Sequence, residues 1–496
     1  MQKHTLLVIN ICLIVLLSCK QESALEKALE LAGRNRHELE KVLKYYENDS
    51  LKQVAARFLI ENMPYHTYVE EYYLLPSGKK YRPQVADFPV EADYKKHIDS
   101  LNDAGFPIIR NHKTDIQTLD SAFLVRNIEL AFMAWKKPWA KQVPFSVFCQ
   151  YILPYRTSVE YPSMLREQMI SRFIPMLDSL QVTTPLEACK ALNKKLAGIM
   201  SYTRTSSIFY PTVEETYQGK LAQCEGLCDL GTLIMRSVGI PIAVEQTIWT
   251  KMDLGHSWGA VWHDGKFHCF GIGEESFDLF SWKLKNTLRP AKVYRSHFNF
   301  YDTICNEMKD DGYISWLKSP LLEDITSEYL DSVNDLHIKI DNMRLGSSKL
   351  KPVYLCAFNF YKWVPVGIGI YKDSVCSFSK VAYDNILIVA DSPTGKGLRF
   401  LTAPFLLDGK GKICKFIPDL KQTMTYTAKR RKDFPDRPHT LFYWNPQIND
   451  FFPLKYSTCT DTTQTYMEVP ANSLLWFTIP DRTLNQRVFF IKNHLQ

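Results

Sequence analysis

The sequence predicts an α+β multidomain protein: a helical N-terminal region, an α+β core and C-terminal β-sandwich modules. Three observations carry this. Apolar residues recur at helical spacing through much of the first 180 residues. A helix opened by Cys224, a strand begun near His256 and the hairpin signal Asp264-Gly265 then follow in order. After about residue 325, short apolar runs separated by turn residues recur at the 8–12-residue spacing of β-sandwiches. The boundaries read as a signal segment at 1–18, the helical region at 19–180, the core at 181–325, one β-sandwich module at 326–428 and a second, small β module at 429–496.

Lys3 and His4 precede an apolar run from Leu6 to Leu17, too short to span a bilayer as a mature helix and typical of a signal peptide. It ends in Leu16-Leu-Ser-Cys19, which resembles the lipobox of bacterial lipoproteins. That resemblance implies lipidation at Cys19 and a cell-envelope protein anchored to the outer membrane, on its surface or periplasmic face. An ordinary cleaved signal with an incidental cysteine is the alternative.

Leu25, Ala28 and Leu29 share one helical face, as do Leu39, Leu43 and Tyr46. Asp49-Ser50 caps a further helix bearing Leu51, Val54, Ala55, Phe58 and Leu59. Residues 64–116 are tyrosine-rich and read as irregular, with a turn at Pro76-Ser-Gly78. The helical pattern returns between Leu119 and Leu180. Within it, Arg156 and Glu160 are either a structural pair or part of a cleft wall. Thr184-Pro-Leu-Glu187 is a capping box with proline at the first helical position, opening a helix whose face is Cys189, Leu192, Leu196 and Ile199.

The core holds the candidate chemistry. Leu227, Leu230, Ile234 and Val238 recur at helical spacing, and Gly239 with Pro241 stops the helix that Cys224 opens. A helix N-terminus favours thiolate over thiol and offers unpaired amides to an oxyanion, so Cys224 is the candidate nucleophile. Gly255-His-Ser-Trp-Gly-Ala-Val-Trp-His263 alternates as a strand, with Phe267 to Phe270 returning beside it; His256 is the candidate base.

These residues resemble the core of the transglutaminase-like superfamily, related to papain-like cysteine enzymes. The shared features are a Cys on a helix closed by Arg236 and Gly239-Ile-Pro241, then His256-x-Trp258 on a strand, with Gln223-Cys224 similar to the Gly-Gln-Cys of transglutaminases. The resemblance covers roughly residues 185–280. It implies a third, acidic member one hairpin after the histidine, but Gly271 occupies the aligned place. Glu274 or Glu275 is then the candidate to orient His256, with Glu274 preferred because Gly271 and Gly273 let the chain fold back. Gln218 and Gln223 are candidate oxyanion donors beside the Cys224 amide. Trp258 either packs by the imidazole and limits water or simply fills the core.

Composition is ordinary globular, 46% hydrophobic and 23% charged, and the net charge of +7 over 60 basic and 53 acidic residues is too diffuse for a nucleic-acid footprint. Of twelve cysteines, the lipoprotein resemblance implies that Cys12 leaves with the signal and that Cys19 is lipidated; the ten others lack the spacing of a disulfide scaffold. A zinc site from Cys224, Cys228, His256 and His263 or His268 is a weaker alternative to a catalytic Cys–His pair. No metal or cofactor is expected. In the β modules, Trp363, Tyr443 and Trp444 either stack on sugars or fill cores, the commoner use. Lys429 to Pro438 forms a basic, proline-rich loop between the modules.

The expectation is thus a surface or periplasmic enzyme that hydrolyses, or transfers, an amide or peptide acyl group of a peptide, protein or glycoprotein through a thioester. The rival is a lipoprotein of the same fold without catalysis, binding glycan or protein through its β modules.

Overall fold

The computed structural model describes residues 23–274, 277–301, 311–313, 315–340, 350–429, 440–456, 458–460, 462–478 and 487–491, without the side chains of 278 and 279. The signal segment, Cys19, Glu275 and the inter-strand loop beyond Lys429 lie outside them.

The helices Ala24–Leu31, Ser50–Asn62 and Ser121–Trp135 begin at Ser23, Asp49 and Asp120, each accepting a backbone amide as the N-cap. Their apolar stripes, including Leu29, Leu59 and Ile128, form one core with Leu39 of the helix Arg36–Tyr45 and Phe148 of the helix Phe145–Tyr151. Residues 64–116 are not irregular as expected. They hold an antiparallel sheet in which Thr67–Leu74 lies between Lys80–Tyr81 and Ile108–Thr114, plus the helix Glu91–Asp103. In Thr67–Leu74 only Tyr73 is fully buried and its neighbours are half-buried on both faces, which blurs the two-residue alternation that marks a strand.

The helices Pro185–Ala197 and Cys224–Ser237 pack on one face of a five-stranded sheet, and Arg166–Ser179 packs on those two helices. The sheet order is Leu322–Asp324, Tyr294–Ser296, Ile242–Ile248, Gly255–His263, Lys266–Phe270, antiparallel throughout. The Thr184–Glu187 capping box forms as predicted, with Pro185 in the first turn. The Cys224 helix ends at Gly239, whose φ of +86° and approach to the Ala134 carbonyl, 2.5 Å from where a Cβ would stand, exclude other residues. The opposite face of the sheet is covered too, by Phe280, Leu284, Ile325 and Tyr329 packed on Trp258.

The C-terminal region is β-rich. An eight-stranded antiparallel sheet curls so that Leu336, Val353, Leu355, Phe378, Val389 and Phe405 fill its inner side. Its outer side, with Tyr354, Phe358 and Ile388, packs on Trp444 and Leu474 of the smaller sheets. Strand Asp419–Lys429 pairs with Thr463–Ala471, across the expected module boundary at residue 429. Trp363, Tyr443 and Trp444 are at most 8% exposed, which is the core-filling alternative. Asn359 of the curled sheet donates to the carbonyls of Trp249, Met252 and Leu254, fixing the loop that leads into the His256 strand.

Candidate active site

Cys224 is the first residue of its helix, entered from an extended Gln223 that supplies no side-chain cap. The pairing of the His256 strand with Lys266–Phe270 ends at Gly259 opposite Phe270, leaving residues 255–258 without a partner on that side. Beyond this end of the ladder the backbone amides of Ser257, Glu225 and Cys224 itself act on the Cys224 thiol. These amides favour the thiolate, but burial outweighs them and pushes the thiol up. The expected lowering by the helix terminus is therefore overturned: the resting group is a neutral thiol.

His256 pairs with Thr247 across the strands, and Ser257 with Gln246. Because side chains alternate, Ser257, Gly259 and Val261 face the Cys224 helix while His256 and Trp258 face the other side. There the imidazole lies among Trp249, stacked at 6.0 Å, Phe280 at 5.6 Å and Trp258 at 6.0 Å. It makes no hydrogen bond to a described residue, and burial lowers its pKa to about 4, so it is neutral at physiological pH. Trp258 does pack by the imidazole, and its indole N–H donates to Glu245. His256 nonetheless lines the same cavity as Ser257, Glu225 and Asp229, at the gap where the neighbouring strand stops.

Glu274 has a suggestive place. The turn from Gly271 to Glu274 is pinned by Asn193, which donates to the carbonyls of both and accepts the Gly273 amide. A Cβ on Gly271 would fall 2.6 Å from Glu274 Oε2. The carboxylate therefore occupies the space where a side chain at 271 would begin, although Glu274 is exposed and makes no hydrogen bond to His256. Gln218 is exposed on the preceding helix Val213–Gly219. Gln223 lines a small 50 Å³ pocket with Glu225.

A cavity of 460 Å³ starts at Ser257 and crosses the helix-side face of the sheet over Gln246 to Leu322, walled by Glu225, Asp229 and the loop at Val159. Sequence reasoning missed this wall, which lies far along the chain from Cys224. Its signal was the Arg156–Glu160 pair, but Arg156 ion-pairs with Asp115 rather than with the Glu160 carboxylate, and the cavity is lined by Thr157, Ser158 and Val159 between the two residues rather than by either of them. Arg156 bonds Asp115 at 2.6 Å and the Glu160 carbonyl at 2.6 Å, while the Glu160 carboxylate accepts the Thr157 and Ser158 amides. Structural bonds thereby shape the cleft wall.

The alternative zinc set is not assembled. His263 lies seven residues along the strand from His256, roughly 23 Å at the rise of a β-strand. Among the described residues no three His, Cys, Asp or Glu side chains are placed to hold a metal. The nine described cysteines are all free.

Residues 177–270 match the transglutaminase-like superfamily. No curated protein matches the chain with significance. Among solved structures, a Cytophaga hutchinsonii protein crystallised as a candidate cysteine protease is similar over 22% of this chain and 37% of its own, with 14% identity and a TM-score of 0.19.

Proposed function

From a chain whose residues 177–270 form a transglutaminase-like domain, we infer a cysteine-nucleophile enzyme that hydrolyses a carboxamide or peptide bond through a thioester. The observation that carries this reading is Cys224 as the first residue of its helix, next to Glu225, which lines a 460 Å³ cavity together with His256 and Ser257. The sulfur attacks the carbonyl carbon as His256 takes the thiol proton. The oxyanion is held by the Cys224 amide, and the amine leaves with the proton returned by the imidazole. Water, deprotonated by the same ring, cleaves the thioester to a carboxylic acid and restores the thiol. For this the imidazole turns out of its aromatic surround into the gap beyond Phe270, where Glu274 is the nearby acid. Water rather than a lysine amine is taken as the second substrate.

The competing reading, a binding protein of this fold holding glycan or protein, is favoured by one observation: among the described residues the resting imidazole hydrogen-bonds neither the thiol nor an acid. Acylation decides between them. p-Nitrophenyl acetate should release a burst of about one equivalent of nitrophenolate and leave an acetyl group on Cys224, absent in Cys224→Ala. Acetylation spread over lysines with no burst would leave the binding reading.

Attachment to the membrane is proposed on the Leu16-Leu-Ser-Cys19 match. Among the described residues no helix is long and apolar enough to cross a bilayer. An acyl anchor contributes about 0.8 kcal/mol per buried methylene, so Cys19→Ala should move the protein from the membrane fraction to the soluble one. Its continued sedimentation with membranes would refute the anchor.

A further inference from the structure

The cavity lined by Glu225, His256 and Ser257 contains an acid that the chemistry above does not employ. Asp229 is 3% exposed and lines the cavity. Its Oδ2 accepts the Tyr210 hydroxyl at 2.7 Å, and among the described residues it has no other hydrogen-bond partner. The two buried guanidinium groups that influence it are committed elsewhere. Arg156 donates to Asp115, Thr67 and Glu160; Arg236 donates to the carbonyls of Ile242 and Arg156. Glu160, its carboxylate capped by the Thr157 and Ser158 amides, and Glu225, one turn earlier on the same helix, add negative potential. Burial accordingly pushes the Asp229 carboxyl well above the usual range. A buried acid without a counter-ion is costly to ionise, and an arriving cation relieves that cost.

We propose that this cavity is the acyl-side subsite of the Cys224 centre and takes a primary ammonium at the end of a side chain of lysine length, with Asp229 as its counter-ion and Glu225 beside it. The proposal rests on Cys224 being the nucleophile. Asp229 follows Cys224 by five helical residues, a rise of ~7.5 Å, which suits a carbonyl held at the sulfur and an ammonium four methylenes away. Val244 and Leu322 on the cavity floor offer apolar surface to those methylenes.

The test uses two affinity reagents on the full chain: the chloromethyl ketones of Nα-acetyl-lysine and Nα-acetyl-norleucine, which share length and differ in the ammonium. The site of alkylation is read by peptide mass spectrometry and its rate by residual thiol. The lysine reagent should alkylate Cys224 at least tenfold faster than the norleucine reagent, a ratio that Asp229→Asn reduces to within about twofold. Equal rates in the wild type would overturn the subsite while leaving the nucleophile intact, and this comparison needs no variant to fold. Failure of both reagents to modify Cys224 would overturn the nucleophile reading and the subsite with it.

Discussion

Iodoacetamide should alkylate Cys224 about a hundredfold faster at pH 9 than at pH 7, with no plateau at neutrality. Burial has raised this thiol above its ordinary value. Below its pKa the thiolate fraction grows tenfold per pH unit, whereas a free thiol levels off near ~8.5. His256→Ala should leave that profile unchanged, because the resting imidazole sits among Trp249, Trp258 and Phe280 and bears no proton to lend the sulfur. The same substitution should slow release of the acetyl group from Cys224 by on the order of 10²–10⁴, the usual contribution of a general base. The two measurements separate a thiolate–imidazolium pair formed in advance from one formed when substrate draws the ring into the gap. A wild-type plateau below pH 7 that disappears in His256→Ala would show a preformed pair and rule out the resting geometry described above.

The nucleophile helix was legible because its signals are local: a periodic apolar face and a glycine stop whose positive φ no other residue adopts cheaply. The Asp264-Gly265 hairpin was equally local, both residues having positive φ. The face taken by His256 was not legible. Alternation reveals orientation only when one side of a strand is wet, and here both sides are covered, with Ser257 through Val261 all buried. The thiol's direction of shift was misread for a related reason. A helix terminus is visible in the sequence, while the desolvation that outweighs it depends on the sheet packed against it. The cavity wall at Val159 and the acid at Asp229 depend on contacts across tens of residues, and Arg156 and Glu160 were only their distant trace. Glu274 is the instructive intermediate: its backfolding over Gly271 followed from the two glycines, whereas its relation to the imidazole depends on where that ring turns.

Arg295→Ala should destabilise the core by about 3–5 kcal/mol, the usual cost of leaving a buried charge without its partner. Glu245 has a fully buried side chain in the strand paired with that of His256. Arg295 donates to its Oε1 from two nitrogens, at 3.0 and 2.7 Å, and its Oε2 accepts the Trp258 indole and the Tyr329 hydroxyl. Arg295 also pairs with Glu328 and lies 3.7 Å from the centre of the Phe267 ring. One guanidinium therefore ties three strands to the short helix Thr326–Tyr329, behind the strand that carries His256. Burial already pushes the Glu245 carboxyl up, and Arg295 is the main influence opposing it. Without Arg295 the folded state binds a proton that the unfolded state, near its ordinary carboxyl value, does not. Stability of the variant should therefore recover as pH falls from 8 to 5. Thermal unfolding at pH 8 should show a loss of roughly 10 °C, smaller at pH 5, and partly restored by adding Glu245→Gln. A shift under about 3 °C at pH 8 would mean that this pair does not hold the sheet behind His256.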